Sequence, residues 1–493
     1  MGVQWMSFFT RISLVVPFWI VSVTVAAEGA SRVKPLNIGA EKVLFVDPQF
    51  LANSEGVRLT LHAPRKTGEH LVVSEHPWEN ATLGWFSVLK EGDKFRMWYE
   101  CYDVSGWPTD DDTSFCYAES DDGIHWTKPK LGMFSYQGRT DNNILFRMIG
   151  EGKSRSRVHG NGVFLDPTAP PERRYKCVSQ GLFQGIGNRP YYVAGMTSPD
   201  GLKWTRQPEP ICPVFADSQY SGFWDPAQQK YLLFGRVGGR GRALGRSISG
   251  QWGQFSALSL VLQTDENHPS DSDLYNPACI AYPGGSRLYL MLPSLYQHKP
   301  DTLDIQLAVS RDTEHWTWPD RETPLIPLGK RGEFDSGSLY AANGCVEVGD
   351  ELWFYYSGSP LKHEEANLEQ LAIPANRRIF SRAIAQRDRL VSVTADAGRG
   401  IVQTPLIQFR GGLLIVNAVT RAGGMVRVGL LDADGTPIPG HGIEDCRVLM
   451  GDRPAATVSW TDGSDVSKWS ERPIRLQFEL QDADLYGFVF KNP

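Results

Sequence analysis

The chain has 493 residues, 41% of them hydrophobic and 22% charged, which is long enough for two domains with substantial cores. Its formal net charge of −6 is spread along the chain and forms no basic stripe of the kind a phosphate backbone requires, so nucleic acid is excluded as an expected partner. The 49 Gly, 32 Pro, 15 Trp, 17 Tyr and 23 Phe, without long Ala/Leu/Glu/Lys stretches, point to an all-β protein of short strands joined by turns.

At the N-terminus Arg11 precedes the apolar run Ile12 to Ala26, and Val25-Ala26-Ala27 offers a small-residue cleavage site. Residues 1–27 therefore read as a signal peptide, with Glu28 as the first mature residue and a secreted or periplasmic destination. The run of about 15 residues is short for a span of about 20, and no stable membrane span is expected after cleavage. Seven cysteines without a CxxC pair give no zinc spacing, and neither a metal nor a cofactor is expected. Cys101 and Cys116 fall on consecutive predicted strands, where a cross-strand disulfide competes with the commoner outcome of buried free thiols.

An internal repeat dominates the middle of the chain. Its first copy has strands at Gly84 to Val88, Lys94 to Glu100 and Ser114 to Ser120, then the turn Asp121-Asp122-Gly123 leading to Trp126. The order returns from Gly162 to Trp204, from Tyr220 to Trp252 without the Asp-Gly turn, from Pro277 to Trp316, and from Gly337 to Ala385. Each unit makes a four-stranded meander that buries both faces only when packed between neighbours around an axis, and five copies suffice to close a ring. In the Ser-x-Asp-Gly-x-x-Trp element the Asp-Gly pair supplies a positive-φ turn and the Trp packs between blades, so this element is structural. The segment 41 to 60, beginning Glu41-Lys42-Val43-Leu44-Phe45-Val46-Asp47, is expected to supply the outer strand that closes the ring. Residues 41–394 thus read as a five-bladed β-propeller. From 395 to 493 alternating strands and Gly-rich turns, such as Gly411 to Ala418 and Met425 to Leu431, read as a small β-sandwich.

Five blades, the Ser-x-Asp-Gly-x-x-Trp turns and an attached sandwich together resemble the glycoside hydrolase superfamily of invertases, levansucrases and arabinanases. The resemblance implies an exported glycosidase whose acids stand where the innermost strands enter a central pocket, with a glycan as partner. The Trp-x-Asn-Asp-Pro-Asn-Gly element of invertases is absent; Val46-Asp47-Pro48 is its nearest counterpart.

Glycosidic cleavage needs one carboxyl group to assist the leaving oxygen and another to attack or to activate water. Asp217, Asp273 and Asp335 precede the innermost strands of three successive blades at an equivalent offset and are the expected catalytic acids. Strand-lead turn chemistry competes at each position, because Asp and Ser readily bond nearby backbone N–H groups. Glu100, at the end of a second strand, His159, which leads into the second blade, and the aromatic faces of Tyr220 and Tyr275 are the expected sugar contacts. Asp110-Asp111-Asp112 reads as a solvated loop and Gly238-Gly239-Arg240-Gly241-Arg242 as a hairpin, since no Walker lysine follows. A non-catalytic glycan-binding propeller is the alternative reading.

Overall fold

The computed structural model describes residues 34–492 except 104–112, 148, 152–153, 157, 184–190, 216, 285–286 and 366–377. The expected leader and the acidic run 110–112 lie outside the described residues. Among the described residues no helix is long and apolar enough to cross a membrane.

Five antiparallel meanders follow one another. Blade one pairs Thr82–Glu91, Lys94–Tyr102, Thr113–Ser120 and Ile144–Phe146. Blade two pairs Gly162–Leu165, Tyr175–Phe183, Tyr191–Ser198 and Thr205–Arg206. Blade three pairs Ser221–Asp225, Lys230–Gly239, Gly241–Ser249 and Ser259–Leu262. Blade four pairs Cys279–Ala281, Tyr289–Met291, Ala308–Ser310 and Trp316–Thr317. Blade five pairs Ser338–Ala341, Glu351–Ser359 and Ile379–Gln386. A ribbon from Ser294–Gln297 and Thr302–Ile305 rises from blade four and touches blade five through Leu303 and Ser338.

The meanders close into a ring because every adjacent pair shares an apolar cluster. Trp98 and Phe115 of blade one pack with Val163 and Tyr175 of blade two. Phe164 and Val178 pack with Tyr220 and Leu233, Leu232 and Phe234 with Cys279 and Tyr289, and Leu290 and Val309 with Leu339 and Phe354. Phe86 and Met97 of blade one then meet Trp353 and Phe380 of blade five. Burial of aromatic and aliphatic side chains on both faces of each sheet supplies the main stabilising term.

The closing strand is not in the segment 41 to 60. Arg65–Lys66 pairs with Ile384 and Ala383 on the outer edge of blade five, whereas Val43–Leu44 and Asn53–Glu55 pair with strands of the second domain, and Arg58–Leu61 pairs with Val391–Ala395, which pairs in turn with Arg475–Lys491 and so belongs to the second-domain sheet and not to the ring. The reason lies in the apolar run 43–46. Val43 and Phe45 face the second-domain core while Leu44 and Val46 face the blade four–five cluster, so this stretch is buried on both sides between the domains. The second domain is an antiparallel β sandwich in which the long strands Leu413–Leu431 and Arg475–Lys491 run side by side past bulges near 417 and 420–425 and enclose Phe45, Val416, Val428, Trp460, Phe478 and Phe488.

The repeated turns show why the Ser-x-Asp-Gly-x-x-Trp pattern recurs. Ser120 Oγ accepts the N–H of Gly123 at 2.8 Å, Asp122 Oδ1 accepts those of Ile124 and His125 at 2.8 Å, and Trp126 Nε1 donates to Gly123 O. The same bonds recur at Ser198, Asp200 and Trp204 and at Ser310, Asp312 and Trp316, where Thr313 takes the positive φ that Gly123 and Gly201 adopt elsewhere. Cys101 and Cys116 are buried free thiols with sulfurs 3.5 Å apart.

Candidate functional site

Polar side chains near the axis fasten the innermost strands together. Asn343 Nδ2 donates to Asn161 O and Tyr220 O, both at 2.8 Å, and its Oδ1 accepts from Ser221 Oγ at 2.5 Å. Ser87 Oγ and Ser221 Oγ accept the N–H of Val163 and of Cys279 in the next blade. Above this knot lies a cavity of about 140 Å³ lined by Thr82, Gly84, Trp85, Glu100, Tyr102, His159, Tyr275, Tyr340 and Arg378.

Glu100 is the one carboxylate among the described residues lining this cavity. Its side chain is 1% exposed. Oε2 accepts the N–H of Gly160 at 2.9 Å and Oε1 accepts the Tyr102 hydroxyl at 3.1 Å, with His159 Nδ1 at 3.3 Å. Tyr102 Oη lies 2.8 Å from His159 Nδ1. One proton order uses each group once: His159 Nδ1–H donates to Tyr102, Tyr102 donates to Glu100, and His159 Nε2 remains the acceptor nitrogen. Space for the carboxylate comes from Gly84, where a Cβ would stand 2.5 Å from Glu100 Oε1. Strand alternation puts Glu100 and Tyr102 on the cavity face of Lys94–Tyr102 and turns Cys101 into the blade one–five core.

The opposite wall is aromatic. Tyr340 meets Trp85 edge-on at 4.7 Å, Tyr275 lies 5.5 Å from Tyr340, and His363 packs on Tyr275 and Tyr296 while its Nδ1 bonds Tyr340 Oη at 2.9 Å. Burial pushes the hydroxyls of Tyr275 and Tyr340 up from the usual phenol range.

Of the expected sugar contacts, Glu100, His159 and Tyr275 line the cavity. Tyr220 does not: its ring is fully buried in the blade two–three cluster, where it packs against Gly235, and its role is structural. The expected catalytic acids are also placed elsewhere, each held by a cation. Asp217 is half exposed and bound by Arg236. Asp273 is buried against Arg242 at 3.1 Å and His298 at 3.2 Å, on the side of a separate open cleft. Asp335 is buried against Lys66 at 2.8 Å and Tyr356 Oη at 2.9 Å, fastening the ring-closing strand to blade five. None of the three lines the axial cavity: Asp217 is held by Arg236 of its own blade, Asp273, in the strand Ser272–Leu274, by Arg242 of the preceding blade, and Asp335 by Lys66 of the ring-closing strand. Tyr102 and Arg378 are among the cavity residues that sequence reasoning missed. Tyr102 carries a signal in its i, i+2 spacing from Glu100, whereas Arg378 reaches the site only through the fold. Among the described residues no group of His, Cys, Asp and Glu is arranged to hold a metal ion.

No family model and no curated protein matches the chain. Among solved structures it is similar to a glycoside hydrolase at 14% identity and TM-score 0.47, covering 66% of this chain and 94% of that one. A thermostable family-43 glycoside hydrolase matches at 12% identity and TM-score 0.43, covering 67% and 96%. A family-32 β-fructofuranosidase of Bombyx mori matches at 9% identity and TM-score 0.40, covering 91% and 96%. At such identities and TM-scores the chemistry has to be read from this chain's own side chains, which stand on a ring of five meanders.

Proposed function

We propose that the protein is a glycoside hydrolase that cleaves a glycan in the axial cavity, with Glu100 as its carboxylate and His159, linked to it through Tyr102, as the proton carrier. One arrangement supports this reading above all: a buried carboxylate bonded to Gly160 N–H and Tyr102 Oη, set in a cavity walled by Trp85, Tyr275 and Tyr340. Aromatic faces suit the apolar faces of sugar rings. Hydrolysis places the water oxygen on the anomeric carbon and a proton on the departing oxygen. A carboxylate beside the anomeric carbon stabilises the positive charge that develops there. An imidazole engaged through Nδ1 gives or takes the proton at Nε2.

The test is hydrolysis of a broad panel of aryl glycosides and polysaccharides by the full chain, beside Glu100→Gln and His159→Gln. Each substitution is expected to lower the rate by about 10²–10⁴-fold with the circular dichroism unchanged. A wild-type rate in Glu100→Gln overturns the assignment. A second reading, a non-catalytic glycan-binding propeller, is favoured by the ion pairing of Asp217, Asp273 and Asp335, which leaves a single carboxylate among the described cavity-lining residues. Glycan binding without turnover of any substrate selects it. Export of the protein is proposed on the strength of Arg11 to Ala27; the N-terminal residue of the protein isolated from its native cell, expected to be Glu28, tests that part.

A further inference from the structure

Comparison of the blades shows an inversion of charge. Ser87 and Ser221 hold equivalent places, each accepting an N–H from the next blade, and their cross-strand partners are Trp98 and Phe234. Two residues beyond those partners stand Glu100 in blade one and Arg236 in blade three. One position of the repeat therefore presents a carboxylate on one side of the axis and a guanidinium on another.

Arg236 does not stand alone. Its guanidinium carbon lies 5.1 Å from the centre of the Tyr275 ring, and that of Arg242 lies 5.2 Å from the same ring and 5.5 Å from Tyr296. Arg378 lines the cavity itself, 4.8 Å from the Tyr340 ring, with Nη1 donating to Ser357 Oγ at 3.0 Å and Nη2 to Ser338 Oγ at 3.3 Å. His363, packed among the same tyrosines, registers the combined field: burial and the charges of Arg242, Arg378 and Arg236 push its pKa down to about 4, although Asp301 acts in the other direction. The imidazole is therefore neutral at pH 7, and the wall carries the arginine charges without adding its own. Asp217 and Asp273 hold Arg236 and Arg242 from positions that do not line the cavity.

Resting on the glycan reading above, the geometry points to a substrate that carries an anionic group, a uronate carboxylate or a sulfate ester, seated against Arg378 with Arg236 and Arg242 shaping the positive field around it. A guanidinium fork matches the oxygens of either group through parallel hydrogen bonds, and burial strengthens such a pairing relative to water. The competing account is that Arg378 only clamps Ser338 to Ser357 within blade five.

The experiment is binding of the full chain to an array of neutral, uronate-containing and sulfated oligosaccharides, followed by titration of the best ligand and its neutral counterpart into wild type, Arg378→Gln and Arg378→Lys. We expect an anionic oligosaccharide to bind at least tenfold more tightly than its neutral counterpart. That preference should be lost in Arg378→Gln, reduced in Arg378→Lys, and weakened as salt rises from 50 to 500 mM. Preference for uronate over sulfate, or the reverse, identifies the source of the charge. Arg378→Lys keeps the cation, so its retained melting temperature guards against mistaking misfolding for lost recognition. Neutral glycans bound as well as anionic ones, or a preference unchanged in both variants, overturns the inference and leaves the glycosidase reading standing. Absence of binding to every glycan overturns both.

Discussion

Gly84→Ala puts the assignment of Glu100 to a sharp test because it changes nothing in the carboxylate itself. Gly84 sits in Thr82–Glu91 without a positive φ, so alanine brings no backbone strain. Its methyl group would stand 2.5 Å from Glu100 Cγ and Oε1 and 2.9 Å from Cδ. Ordinary carbon contacts are about 3.5–4.0 Å, so Glu100 must retreat by roughly 1 Å. That retreat breaks or lengthens the bonds from Gly160 N–H at 2.9 Å and Tyr102 Oη at 3.1 Å. A misplacement of about 1 Å at a reacting group costs on the order of 10²-fold in rate, while overpacking of this kind costs about 1–3 kcal/mol in stability. The assay compares kcat/KM and the urea midpoint of Gly84→Ala with those of Gly238→Ala, where a Cβ meets nothing within 4 Å on an exposed hairpin. The control should stay within about 0.5 kcal/mol of wild type. Wild-type kcat/KM in Gly84→Ala would falsify the placement of Glu100 in the reaction.

Asn343→Ala removes the side chain that bonds Asn161 O, Tyr220 O and Ser221 Oγ, leaving buried groups unsatisfied; a loss of about 3 kcal/mol is expected from denaturant unfolding, and a loss below about 1 kcal/mol contradicts the axial knot. Asp335→Asn leaves Lys66 without its carboxylate at 2.8 Å, so stability should fall by about 1–3 kcal/mol while kcat/KM stays within about twofold; a collapse of activity in a folded variant returns Asp335 to the catalytic acids. In the turn at Asp312 partial burial pushes the carboxyl up, but the His315 N–H and ring, the Glu314 N–H and the Ser310 hydroxyl together outweigh it and bring the pKa down from 3.8 to about 2. A depressed carboxyl contributes stability that is fully present above pH 3.8 and is lost as the pH falls through about 2. The melting temperatures of wild type and Asp312→Asn should therefore differ at pH 6 and converge near pH 2, and a gap independent of pH argues against the turn.

Much of the fold is legible along the chain because its causes are local. Alternation of apolar and polar residues marks the strands, and Ser120, Asp122 and Trp126 close their turn entirely with bonds inside one seven-residue stretch, so the repeat carries its own punctuation. Five such units can bury their faces only against one another, which makes the ring a consequence of the count. Glu100, His159 and Tyr275 also emerge as candidates from their places in the repeat, as does Tyr220, which the fold buries between blades two and three instead. The outer strand of blade five could not be read in this way: residues 43–46 and 65–66 are both extended, and only the competition between a core that accepts Val43 and Phe45 and an edge that accepts Arg65 and Lys66 decides between them.

The three aspartates expose the same division. Their place ahead of the innermost strands, at offsets that the structure shows to be unequal, is a property of the sequence, but the direction of each carboxylate is set by whichever cation the tertiary structure brings near: Arg236 for Asp217, Arg242 for Asp273, Lys66 for Asp335. The last of these pairs joins residues 269 positions apart. Strand pattern and turn chemistry, being local, determined the architecture; which carboxylate and which arginine line the cavity rests on long-range proximity and burial, which act only once the ring has closed.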